Sequence, residues 1–158
     1  MNSPDEICED VSSRPERESG EFPASKRRAL RGRKGRVLVV DDEPQIGNTL
    51  RLLLDPNHEI VPVTSAKSAL ERISSDGRFD VIFCDLMMPE ISGTELYEKV
   101  AVAAPELLDR FVFMTGGVFS AEILAFLERI PNPCIEKPFD IVALTALIEE
   151  RIADGAVA

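Results

Sequence analysis

In Val81-Ile82-Phe83-Cys84-Asp85-Leu86-Met87-Met88-Pro89, four apolar residues run without a break into an acid. β-branched and aromatic residues in such a run read as a short strand buried on both faces, as in a parallel sheet. Asp85 ends the strand, and Pro89, with no amide hydrogen to give to a ladder, marks a loop. A carboxylate therefore stands at the carboxyl end of a central strand, where open α/β sheets place their ligands.

The same pattern repeats on both sides. Upstream, Val37-Leu38-Val39-Val40 runs into Asp41-Asp42-Glu43, and Pro44 suits the first turn of a helix whose apolar positions are Ile46, Leu50, Leu53 and Leu54. Residues 59–63 make a weaker strand, and residues 65–75 a helix with Ala66, Ala69, Leu70 and Ile73 on one side. Downstream, a helix near residues 93–103 breaks at Pro105. Phe111-Val112-Phe113-Met114 is a fourth strand closing at Thr115-Gly116-Gly117, followed by a helix near residues 120–129. Cys134-Ile135-Glu136 is a short fifth strand ended by Lys137-Pro138, and Ile141, Leu144, Leu147, Ile148 and Ile152 line a last amphipathic helix. Strands alternating with helices imply an α/β fold with right-handed crossovers and helices on both faces of the sheet.

The chain has 158 residues, one domain's worth with a tail. No run approaches the ~18 uninterrupted apolar residues of a membrane helix, and the first thirty residues lack the apolar stretch of a signal peptide, so a cytoplasmic protein without membrane contact is expected. Cys8, Cys84 and Cys134 are widely spaced and form no CxxC pair, so neither a disulfide framework nor a zinc site is indicated. Charge marks a boundary: residues 1–36 hold seven acids and nine bases, residues 37–158 twenty-one acids and nine bases. Residues 1–35 read as a disordered charged tail, residues 36–154 as the folded domain and 155–158 as a short end. The basic run over residues 26–36 has no interleaved aromatic rings, which favours a solvated leader against the acidic body over a nucleic-acid arm. His58, the lone histidine, reads as a surface residue at a strand start.

In the strand order 2-1-3-4-5 of flavodoxin-like doubly wound sheets, strands 1, 3, 4 and 5 are neighbours. Asp41, Asp42, Asp85, Thr115 and Lys137 then share one rim. Three acids so close repel one another unless a cation joins them, and Mg²⁺, which takes one or two carboxylates and fills its remaining positions with water and phosphate oxygens, fits such a cluster. Lys137 and Thr115 are suited to phosphoryl oxygens. The constellation reads as phosphoryl transfer onto a carboxylate. Taken alone, Asp41 or Asp42 also fits a helix N-cap, Asp85 a loop cap, Thr115 a turn and Lys137 a surface site.

Four motifs together resemble the receiver domains of two-component response regulators: Val39-Val40-Asp41-Asp42-Glu43, Asp85-Leu86-Met87-Met88-Pro89 with Ser92-Gly93, Met114-Thr115-Gly116-Gly117, and Glu136-Lys137-Pro138-Phe139. The resemblance implies that Asp85 takes a phosphoryl group from a histidine kinase, a histidine phosphotransfer protein or a small acyl phosphate. It implies that Asp41, Asp42, Asp85 and the backbone carbonyl of Met87 hold Mg²⁺. It further implies that Lys137, joined to Pro138 by a cis bond, pairs with Asp85 and then with the phosphoryl group, and that Thr115 moves toward that group. Such a chain is no conventional enzyme, but it catalyses its own phosphorylation and dephosphorylation. Two departures from the pattern stand out. Cys134 stands where receivers carry an aromatic ring, three residues before the lysine. Met87 and Gly117, two residues after the acceptor and the threonine, cannot orient an attacking water, so a long-lived phosphoryl group is expected.

Because only a few residues follow the last helix, the expectation is a single-domain bacterial response regulator, monomeric or weakly dimeric, with no DNA-binding domain and an unknown downstream protein partner. The alternatives are a detached receiver module of a hybrid histidine kinase, and a receiver-like interaction or dimerisation scaffold that is never phosphorylated.

Overall fold

The buried apolar runs become the strands of one parallel sheet: β1 (Arg36–Val40), β2 (Glu59–Val63), β3 (Val81–Asp85), β4 (Phe111–Thr115) and β5 (Cys134–Glu136), in the order β2-β1-β3-β4-β5. The helices between and after them are α1 (Pro44–Leu54), α2 (Ala66–Ser75), α3 (Gly93–Ala103), α4 (Ala121–Arg129) and α5 (Ile141–Gly155). This is the flavodoxin-like order expected from the sequence. The computed structural model describes residues 33–55, 57–117 and 119–155. Most of the tail, including Cys8 and the start of the basic run, and residues 156–158 lie outside the described residues.

Alternation along each strand divides the core in two. Leu38, Val40, Ile82, Cys84, Phe111 and Phe113 face α2, α3 and α4. Val37, Val39, Val81, Phe83, Val112 and Met114 face α1 and α5. Central strands covered on both faces must be apolar at every position, which is why β3 and β4 carry no polar residue until their last. Three helices start on a serine whose hydroxyl accepts an amide three residues on: Ser65 from Ser68, Ser92 from Glu95 and Ser120 from Ile123. No helix among the described residues is long and apolar enough to cross a membrane.

Three local features differ from the sequence reading. Pro105–Arg110 is a short 3₁₀ helix where only a break is legible. Arg33, Lys34 and Gly35, assigned by charge to the tail, already touch the folded body: Arg33 reaches Asp80 at 3.6 Å, Lys34 reaches Asp55 at 3.9 Å, and the Gly35 N–H donates to His58 Nδ1 at 3.2 Å. His58, expected on the surface, is 5 % exposed. Its acceptor nitrogen serves a backbone donor that a surface residue would leave to water.

Asn132, in the Pro131-Asn132-Pro133 turn, ties together three segments. Its amide donates to the carbonyls of Leu108 (2.7 Å) and Phe111 (3.0 Å), and its carbonyl accepts from the Tyr97 hydroxyl at 3.1 Å. The Tyr97 ring packs at 5.4 Å on Phe111, 5.7 Å on Phe113 and 5.4 Å on Phe126. Replacing Asn132 by Ala strands two carbonyls and a hydroxyl. Urea denaturation should show a loss of about 1–3 kcal/mol. A loss below about 0.5 kcal/mol would mean that water takes over these bonds.

Candidate functional site

Each polar residue of the carboxyl rim arrives there because a buried strand ends. β1 delivers Asp41 one residue past Val40, β3 ends on Asp85, β4 ends on Thr115, and Lys137 follows β5. Register brings them level: Asp85 lies beside Met114, and Thr115 beside Glu136. The loop after β3 folds back on the strand end through Leu86 N–H to the Met114 carbonyl (3.1 Å) and Gly93 N–H to the Leu86 carbonyl (3.2 Å).

One carboxylate oxygen from each of Asp41, Asp42 and Asp85 lies within 4.8 Å of the others. Asp41 and Asp85 are buried and Asp42 is exposed, so the cluster opens to solvent on the Asp42 side. Lys137 Nζ reaches into it, 2.5 Å from Asp41 Oδ2 and 3.4 Å from Asp85 Oδ2. The ammonium thus sits closer to Asp41 than to Asp85. Burial alone would lower the Lys137 pKa, but the hydrogen bond to Asp41 and the charges of Asp85 and Asp41 outweigh it and the net direction is up. Asp85 goes the other way for a carboxylate: burial, with the Asp41 charge adding to it, pushes it up to about 6, while the Met87 N–H (3.1 Å) and Lys137 oppose. An acid that resists ionisation beside two others is short of positive charge. Oxygen donors in this number and spacing suit a hard divalent ion such as Mg²⁺.

The alternative roles of these side chains can now be weighed. Glu43, not Asp41 or Asp42, occupies the N-cap position of α1 and makes no side-chain cap, while Asp41 Oδ1 accepts the Glu43 N–H at 2.9 Å. Thr115 is buried, and its Oγ1 accepts the Gly117 N–H at 3.1 Å, a turn contact just past the end of β4. Lys137 is no free surface lysine, and its bond to Pro138 is cis. Met87 is 59 % exposed, whereas Met88 packs partly buried against the core. Cys134 is buried, among the residues on the α3 and α4 side of the sheet.

The family model for the response regulator receiver domain matches residues 37–149. This chain belongs to that family. Receiver domains interact with histidine kinases or phosphotransfer proteins in two-component signalling, and generally bind Mg²⁺ through an acidic pocket. The receiver is 38 % identical to the transcriptional regulatory protein BtsR of Escherichia coli K12 over 107 residues, 66 % of this chain and 43 % of that protein. It is 30 % identical to a protein-glutamate methylesterase/protein-glutamine glutaminase of Shewanella over 127 residues, 77 % of this chain and 36 % of that protein. The chain thus spans less than half the length of the curated relatives it matches. Among solved structures, a CheY-like receiver from Methanospirillum hungatei is 26 % identical with a TM-score of 0.67, covering 77 % of this chain and 96 % of that one. A receiver from Clostridium thermocellum, 21 % identical with a TM-score of 0.68 over 78 % of this chain and 98 % of that one, shares the fold.

Two residues of the receiver gain a role that was not read from the sequence. A Cβ on Gly93 would lie 2.3 Å from the Asp85 carbonyl oxygen and 3.0 Å from Leu86 Cα, so only glycine lets α3 start against the strand end that carries Asp85. A serine and a glycine ahead of a helical pattern are the signal for such a close approach. Gly117 has a φ of 91°, and a Cβ there would lie 2.6 Å from Glu136 Oε1. The positive φ of the turn is what favours glycine at 117, since the exposed Glu136 carboxylate can swing aside.

Proposed function

We propose that this receiver accepts a phosphoryl group on Asp85 and passes the signal to a protein partner by rearrangement of the loop after β4. The observation that carries the reading is the convergence of Asp41, Asp42 and Asp85 with Lys137 on one rim. Asp41, Asp42, Asp85 and the Met87 carbonyl would hold Mg²⁺, which when bound offsets the carboxylate charges and aligns phosphoryl oxygens. A carboxylate oxygen of Asp85 attacks phosphorus, the bond from phosphorus to the histidine nitrogen or acyl oxygen of the donor breaks, and an acyl phosphate forms on Asp85. Lys137 meets the new charge, which is about one unit more negative than the carboxylate. The Thr115 hydroxyl, now an acceptor for the Gly117 N–H, turns to donate to a phosphoryl oxygen and draws residues 116–117 with it. The bacterial, cytoplasmic setting and a folded domain spanning residues 36–154 belong to the same proposal.

Acetyl phosphate with Mg²⁺, followed by intact mass, tests it. The wild type should gain one phosphoryl mass, and the gain should vanish in Asp85→Asn and with chelator. No gain, even with candidate kinases supplied, would favour the unphosphorylated scaffold. Because Met87 and Gly117 offer no group to orient water, the label should persist for many times longer than an acyl phosphate receiver with an amide or acid at those positions. Following the phosphorylated mass against time in Mg²⁺ checks this, and loss within a minute would count against it.

A further inference from the structure

At the end of the sheet opposite the acidic rim, the chain enters β1 through Arg33, Lys34 and Gly35, and this entry is clamped. The Gly35 N–H donates to His58 Nδ1 at 3.2 Å, and the Gly35 carbonyl accepts the Glu59 N–H at 2.8 Å. A Cβ on Gly35 would lie 2.1 Å from Ile152 Cδ1 and 3.2 Å from His58 Nδ1, so the backbone there is wedged between the histidine and the last turns of α5. Around the wedge, Arg33 pairs with Asp80, Lys34 with Asp55, and Arg36 with Glu59 (3.3 Å) and Asp76 (2.5 Å), while the Arg36 N–H donates to Asp80 at 2.8 Å. The charged groups nearest the imidazole come from three directions: Glu149 on α5, Asp80 ahead of β3, and Lys34 on the entering segment.

An acceptor Nδ1 requires a neutral ring with its proton on Nε2. A second proton would set an N–H against the Gly35 N–H and place a charge in a site that is 5 % exposed. Burial holds His58 below its ordinary range, with Lys34 acting the same way and Glu149 and Asp80 opposing.

We propose that His58 is a proton-operated latch, pinning residues 33–35 to the last turns of α5 while neutral and releasing them when protonated. The sign follows from linkage. With the closed-state pKa below the ordinary 6.5, the open state binds the proton better, so the latch holds at neutral pH and weakens as pH falls below about 6.5. The basic run continues directly upstream of the latch, so release frees its attachment to the acidic body.

This receiver contains one histidine, so a tag-free sample gives one imidazole signal in NMR. The His58 C2–H should titrate with a midpoint below 6.5. The hydrogen-exchange protection factor of the Gly35 amide, corrected for intrinsic exchange, should fall at least about threefold between pH 7.5 and 5.5, with about tenfold as the ceiling set by the open-state value. In His58→Asn the side-chain oxygen stands near the place of Nδ1, accepts the same bond and does not titrate. There the protection should change less than about twofold. An equal fall in both proteins, or no fall in the wild type, overturns the latch. Asp85 also changes charge near this range, at the far rim, and is retained in His58→Asn, so the comparison separates the two groups. Should that variant not fold, the wild type still decides: Gly35 protection must follow the His58 midpoint, and a different midpoint overturns the proposal.

Discussion

Gly93→Ala should destabilise the receiver by about 2–3 kcal/mol and slow acetyl phosphate labelling of Asp85 at least tenfold. The added methyl group would sit 2.3 Å from the Asp85 carbonyl oxygen, 3.0 Å from Leu86 Cα and 3.1 Å from the Asp85 carbonyl carbon. All three are backbone atoms of a buried strand end, which cannot swing aside as a flexible side chain would. Overpacking of this kind costs about 1–3 kcal/mol and more where backbone must move. Alanine is the better helix former by about 1 kcal/mol, but position 93 is the first residue of α3, where that advantage is small. The effect on labelling arises because the displaced backbone carries the acceptor. Urea melts and labelling rates measured side by side check both halves. A variant as stable and as reactive as wild type would show that α3 can start farther from β3 at no cost.

Without divalent cation, Asp85→Asn should be more stable than wild type at pH 7.5, by about 1–3 kcal/mol, even though it cannot be labelled. Burial first, and then the Asp41 charge, push the Asp85 pKa from 3.8 up to about 6, so the folded state holds the proton more tightly than the unfolded one. The penalty of the ionised carboxylate is thus complete above pH 6 and absent below 3.8. Wild type should therefore gain on the variant as pH falls from about 7 toward 4, and the difference should close there. Asparagine keeps an acceptor for the Met87 N–H and loses only part of the attraction to Lys137, which sits 3.4 Å from Asp85 but 2.5 Å from Asp41. Denaturation in chelator at two pH values reads the sign. Saturating Mg²⁺ should then stabilise wild type more than the variant, since binding to the folded state alone adds stability. A variant less stable than wild type in chelator would mean that the Lys137 pairing outweighs the crowding of acids.

Other residues of the receiver show why some contacts were hidden. Lys137 and Asp41 lie 96 positions apart and meet only because β5 and β1 share a sheet with two strands between them. Asn132 sits between two prolines with no local pattern that points to its role, although it joins α3, the 3₁₀ helix and β4. His58 is buried although a lone polar residue at a strand start is ordinarily solvated, because Gly35, 23 positions away and itself packed against Ile152, donates to its Nδ1.

While the strand order is borrowed from doubly wound sheets and seen in the structure, the class of fold, the five strand runs and the acid, hydroxyl or amine that follows four of them are legible in the sequence alone. These are local properties: an unbroken apolar run demands burial on both faces, and a polar residue placed after it must emerge at the strand end. Only the tertiary structure decided which partner each polar atom takes. It seats Lys137 nearer Asp41 than Asp85, turns Thr115 onto the Gly117 amide, presses Gly93 against the carbonyl of Asp85 and brings α5 against Gly35. Those outcomes depend on register and close packing between segments far apart in the chain, where a shift of an ångström exchanges one hydrogen-bond partner for another.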